Sequence, residues 1–318
     1  MLSIYRTLIL VVLVCSLDLA MNAQDRREAE EAHNRGRQHY LQGDYERAIA
    51  DFTRAIKLTS RPRSDNRKSR QNWNAPETLA DDSTNSDRII FIDPLTALAF
   101  GSRALARYRI GDLEGAIADC DRAIFINPGV IQVYTNRGAI RWAKGDLDGA
   151  LDDFNLVISK TPRDALAYDT RAKIREDKGD FIGAFADFDK AIELSPRRAE
   201  FYCDRGQARR KRGDIDGALA DFQRAIEISP YFARAYYRRG MVWIDKNELN
   251  QALLDLTRTI ELDPQIAQAY GSRGLLRLRL GQDAEAEKDF EICLRLDPSL
   301  KPQLQERIRL AKARRAAQ

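Results

Sequence analysis

Seven arginines in this chain each precede an aspartate by the same interval: Arg35 and Asp51, Arg103 and Asp119, Arg137 and Asp153, Arg171 and Asp187, Arg205 and Asp221, Arg239 and Asp255, Arg273 and Asp289. From Arg103 onward the couples themselves recur at one fixed period, the step from Arg103 to Arg137. Two chemistries fit such columns. An arginine stripe without counter-ions binds anions. A guanidinium facing a carboxylate instead forms a bidentate pair, and pairing is what makes burial of both charges tolerable. One aspartate for every arginine favours the second: an Arg–Asp ladder whose central members are Arg137, Asp153, Arg171, Asp187, Arg205 and Asp221. The spacing leaves two pairings open, within one repeat (Arg171 with Asp187) or between neighbours (Arg205 with Asp187). Arg307 keeps the same phase beyond the last couple.

Other reactive side chains are sparse. The two histidines, His33 and His39, are spaced so that they do not meet as ligands, and no cysteine or carboxylate joins them in a ligand pattern. No glycine loop shaped to cradle a phosphate occurs, and no nucleophile–histidine couple falls outside the first repeat. The expectation is a non-enzyme without metal or cofactor. Of the four cysteines, Cys15 lies near the start, while Cys120, Cys203 and Cys293 sit in separate repeats, too far apart to bridge. Cys120 and Cys293 replace core residues; Cys203 is expected to be exposed.

Elements of fixed length must carry these columns. Alanine recurs with the same period at Ala116, Ala150, Ala184, Ala218, Ala252 and Ala286, with Ala48 as an earlier copy. Units are numbered from Ala29, Ala97, Ile131, Ala165, Ala199, Ala233 and Ala267, which puts the arginines at position 7 and the aspartates at position 23. Position 15 is Gly43, Gly111, Gly145, Gly179, Gly213 and Gly281, with Asn247 in the sixth unit. These are the residues that tolerate a left-handed turn just past a helix. Asp44, Asp112, Asp146, Asp180 and Asp214 follow, placed to cap a second helix. A period of this length denotes stacked helical units, none of which buries its apolar face alone.

With small residues at positions 8 and 20, large ones at position 24 and a terminal proline, the pattern resembles the tetratricopeptide repeat, whose unit is about 34 residues long. Seven units, at 29–62 and 97–298, cover most of the chain. The resemblance implies an all-α solenoid coiled as a right-handed superhelix, whose concave groove is lined by first-helix positions 2, 5, 6, 9 and 12. Carried over, these positions include Tyr40, Leu105, Tyr108, Ala139 and Trp142 near the start. Lys173 and Arg210 fall in the middle, and Tyr237, Arg238, Met241, Leu275 and Leu278 toward the end. Aromatic and arginine anchors of this kind suit a peptide or protein partner. The Lys and Asn clamp that chaperone-binding members carry at positions 5 and 9 is found in no unit here.

The ends depart from the repeats. Residues 8–15 are an apolar run that suits a secretory leader over 1–23 and is short of the ~20 residues that span a bilayer. Met21 and Ala23 make an imperfect cleavage site, which keeps an uncleaved anchor as the alternative. Residues 63–96 read as a disordered linker holding the remnant of a decayed repeat, since 89–94 match the endings of other units. Residues 299–318 read as a basic capping helix in which Leu300, Leu304, Ile308 and Ala311 form an apolar stripe. That tail carries +5, more than the net +4 of the whole chain, so no sustained basic face is left for nucleic acid. The resulting expectation is an exported scaffold, periplasmic or secreted, that binds a peptide or protein. Its alternatives are a membrane-tethered assembly factor of the cell envelope and, less favoured, a nucleic-acid binder acting through the tail.

Overall fold

One period of the sequence accommodates two short helices and two turns, and this unit recurs along the chain. A computed structural model describes residues 23–60 and 94–316. The chain divides into two compact units, Met1–Pro162 and Arg163–Gln318. The first contains α1 (Ala23–Leu41), α2 (Tyr45–Thr59), α3 (Pro94–Arg109), α4 (Leu113–Ile126), α5 (Ile131–Lys144) and α6 (Leu147–Lys160). The second contains α7 (Ala165–Lys178), α8 (Phe181–Leu194), α9 (Ala199–Lys211), α10 (Ile215–Ile228), α11 (Ala233–Asp245), α12 (Leu249–Leu262), α13 (Ala267–Arg279), α14 (Asp283–Leu296) and α15 (Lys301–Ala316). Among the described residues there is no strand, and no helix is long and apolar enough to cross a membrane. The apolar run at 8–15 and most of the linker, 63–93, lie outside them.

Each pair is built the same way. Gly145 ends α5 at φ 89°, a left-handed turn that costs glycine little, and Asn247 takes the same role at φ 61°. Asp146 then accepts the Gly149 N–H at 3.0 Å and caps α6; Asp112, Asp180 and Asp214 repeat that bond. A Cβ on Gly149 would sit 2.2 Å from the capping carboxylate, so the cap and the glycine need each other. Where the two helices touch, a Cβ on Gly138 would lie 2.9 Å from the Phe154 ring. Such fits at Gly138 and Gly206 let Phe154 and Phe222 be fully buried, and Phe188 is equally buried beside Ala172, each ring contributing about 1.5–3 kcal/mol.

In the first unit, α2 packs directly on α3 although the whole linker lies between them in sequence, and α4 packs on α5. Helix α3 starts at Pro94, ahead of the expected boundary at Ala97. Residues 94–96 are therefore its first turn and not linker: proline suits that turn, and Thr96 is buried. In the second unit, α15 lies along α13 with Leu304 buried and Leu300, Ile308 and Ala311 packed beside it. Arg315 anchors its far end by donating to the Leu278 carbonyl at 2.9 Å and pairing with Asp283.

Candidate functional site

Each ladder carboxylate is closed by the arginine of its own helix pair, which decides between the two pairings. Arg137 donates from Nε and Nη2 to Asp153 at 3.0 and 2.6 Å. Arg171 holds Asp187 at 2.8 and 2.6 Å, and Arg205 holds Asp221 at 3.0 and 2.6 Å. The three aspartates are buried. The same fork joins Arg103 to Asp119, Arg239 to Asp255 and Arg273 to Asp289, while Arg35 makes one longer contact of 3.3 Å with Asp51. The Nη1 arm reaches back to the preceding pair, from Arg137 to Asp121, from Arg205 to Asp189, from Arg239 to Gln223 and from Arg103 to Thr53. Burial alone would lower the Arg137 pKa; its bonds to Asp153 and Asp121 outweigh that and raise it.

A second arginine column escaped the sequence reading. One helical turn after each ladder arginine, Arg141, Arg175 and Arg209 donate to the same aspartates at 3.0, 2.8 and 2.8 Å. Each also donates to a carbonyl in the first turn of the second helix, of Gly149, Gly183 and Gly217 respectively. Arg107 and Arg277 repeat the contact with Asp119 and Asp289. In the first pair His39 replaces this arginine, its Nδ1 lying 3.0 Å from Asp51; in the sixth the residue is Trp243. The signal was present as a one-turn interval, which puts both arginines on one helix face. His33 is engaged elsewhere, with Nε2 3.1 Å from the Ser102 hydroxyl; burial and then Arg37 lower its pKa.

The ladder satisfies itself, so surface chemistry belongs to the outward positions of the first helices. In the first unit, position 12 is Tyr40 on α1, Tyr108 on α3 and Trp142 on α5. Tyr108 is exposed, and Tyr40 and Trp142 are half-buried. Tyr40 meets Tyr45 edge-on at 5.4 Å, and Arg109 stacks on Tyr45 while donating to its hydroxyl at 2.9 Å.

In the second unit the corresponding face is crossed by ion pairs. Lys173 bonds Asp169 of its own helix at 2.7 Å and Asp204 of α9 at 2.5 Å. Arg234 of α11 also reaches Asp204, at 3.3 Å; Lys211 pairs with Glu176, and Arg210 with Asp245. Burial pushes the Asp169 carboxyl up to about 6 despite Lys173. Burial would lower the Lys173 ammonium, but Asp169 and Asp204 outweigh it and the net shift is upward. Arg238 and Met241 are half-buried on α11, and Tyr237 packs partly against Leu256 and Leu276.

Three expectations need correction. Leu275 and Leu278 do not line an open face: α15 covers them, and they belong to the core of the last pair. Cys203 is buried and not exposed, because position 5 is turned toward the neighbouring first helix; burial raises its thiol to about 11 although Arg234 pulls the other way. Burial also raises the thiols of Cys120, to about 12, and of Cys293.

Models of the tetratricopeptide repeat match residues 20–61 and 237–300, and one described as a TPR repeat matches 206–243. No curated protein matches the chain. Among solved structures, a tetratricopeptide repeat protein from Parabacteroides merdae ATCC 43184 is 19% identical with a TM-score of 0.65, over 90% of this chain and 99% of that one. Yeast Tom70 is 17% identical with a TM-score of 0.57, over 86% of this chain and 61% of its own. MamA is 28% identical over 54% of this chain and 94% of its own, with a TM-score of 0.44.

Proposed function

Because the chain is a tetratricopeptide-repeat protein, we propose that it is a non-catalytic scaffold that docks a peptide or protein on the first-helix face of its N-terminal unit. The observation that carries this reading is the row of Tyr40, Tyr108 and Trp142 at one register position on three successive first helices. Rigid aromatic side chains with partly accessible faces are the usual anchors of such interfaces. The ladder arginines take no part, since their carboxylates already occupy them. Affinity capture with the intact chain and with a Tyr108→Ser, Trp142→Ala variant tests the assignment. A partner retained by the first and lost by the second supports it; equal recovery by a variant of unchanged melting temperature sinks it.

The protein is exported in this reading, with residues 8–15 as the core of a leader and a periplasmic or secreted destination. N-terminal sequencing of the mature protein separates the readings. A start near Gln24 fits export with cleavage, whereas retention of Met1 or Leu2 favours the membrane-tethered assembly factor.

A further inference from the structure

Arg307 is the arginine that the ladder leaves over. It lies in phase with Arg273, yet no hydrogen bond or ion pair joins it to another described residue, whereas Arg273 is held by Asp289 at 2.7 Å. It stands instead on the wall of a hollow of about 200 Å³ between α11, α13 and the start of α15. Gly271 helps to open this space. Its register position is filled by Asp169, Cys203 and Tyr237 on the three preceding first helices, and a Cβ at Gly271 would lie 3.1 Å from the Cys293 sulfur. The neutral polar lining comes from Tyr237, Gln268, Ser272 and Gln303, and no carboxylate lines it. Leu304 contributes to an apolar floor.

We propose that this hollow binds a short aliphatic carboxylate, with the Arg307 guanidinium holding the carboxylate and the leucine-lined floor holding the aliphatic part. One fixed positive charge that no described carboxylate pairs with selects a negative group, and the planar guanidinium fork matches both oxygens of a carboxylate. The hydroxyl and amide groups of Ser272, Tyr237 and Gln303 offer further donors around it. Its small volume restricts the body of the ligand to a few carbon atoms. The chemistry suits a free short-chain acid and equally the carboxylate end of a peptide whose last side chain is small and apolar. All the residues involved lie within Arg163–Gln318, so the site stands or falls apart from the aromatic row of the other unit.

A titration of the full chain followed by amide NMR tests this, with butyrate, butyramide and N-acetyl-alanyl-alanine as the added probes. Butyrate is expected to produce saturable shifts at Gly271, Ser272 and Gln303, and butyramide none. Arg307→Gln should weaken butyrate binding about tenfold or more. Because Arg307 is exposed, the variant should melt like the native chain, and Arg307→Lys should recover part of the affinity. Tighter binding of the peptide acid than of butyrate assigns the site to a chain terminus, and the reverse order to a free acid. Equal binding of butyrate and butyramide, an unchanged affinity in Arg307→Gln, or no saturable shift with either acid overturns the proposal.

Discussion

The two compact units share one frame and differ in what they place on it. Both contain the Arg–Asp fork, the aspartate cap and the glycine turn, as in α5–α6 of the first and α9–α10 of the second. Their first-helix faces diverge. In the N-terminal unit position 12 carries Tyr40, Tyr108 and Trp142, whereas in the C-terminal unit it starts with Glu176 and Arg210, both already ion-paired to the next first helix. Charges that bind helix to helix on a face stabilise the stack but are committed. Aromatic side chains at the same positions leave polarisable surface for something else. The frame is therefore independent of the surface, and one architecture can carry an ion-paired face and an aromatic one.

The largest effects should fall on the shared frame and be alike in the two units. Asp153→Ala and Asp221→Ala each deprive two half-buried guanidiniums of the carboxylate they share, and each should cost about 3–5 kcal/mol in denaturant unfolding. A surface-sized loss in either would show that the two frames are not equivalent. Next, Lys173→Met deprives Asp169 and Asp204 of their shared ammonium and should cost roughly 2–3 kcal/mol. Tyr108→Leu at the aromatic face should stay within about 0.5 kcal/mol. Equal costs for these two changes would erase the contrast between the faces.

Partner binding should show the opposite order. Trp142→Ala is expected to weaken the captured partner by about thirtyfold, roughly 2 kcal/mol, with little change in melting temperature. Arg210→Ala should leave that affinity nearly intact. If Trp142→Ala lowers the melting point and spares binding, the tryptophan belongs to the core.

The ion-paired face should also respond to pH. The folded-state pKa of Asp169, about 6, lies above its ordinary value of 3.8, so between these values the native state holds the extra proton. The contribution of Asp169 to stability is therefore fully present below about pH 4 and declines as the pH rises through about 6. The difference in stability between the native chain and Asp169→Asn, followed from pH 4 to 7, should shift in the variant's favour as the pH rises. A flat difference would place Asp169 in a better-solvated setting than its burial indicates.

Much of the frame was legible in the sequence because its determinants are local. A glycine at position 15 and an aspartate after it act on backbone atoms within one turn, so their spacing alone places Gly145 and Asp146. The ladder was only partly legible. Asp187 has arginines at comparable distances before and after it, and only the packing of the pair puts Arg171 within bonding reach. The second column, Arg141 and its equivalents, was visible as a one-turn interval but went unread. Surface assignments failed where a neighbour decides exposure. Cys203 faces the adjoining first helix, and Leu275 and Leu278 lie beneath α15, whose placement no repeat period encodes.

The division of labour within each arginine has a consequence for how such a chain can change length. Two of its nitrogens close on an aspartate contributed by the same copy of the repeat, and the third reaches an acceptor of variable type in the copy before: Asp121, Asp189, Gln223 or Thr53. Insertion or loss of a whole copy by unequal recombination therefore leaves every ladder carboxylate with its arginine, while the joint between copies accepts whichever oxygen it meets. The strict bond travels with the gene segment and the tolerant one falls at its edge, so a change in copy number need not pass through a misfolded ancestor.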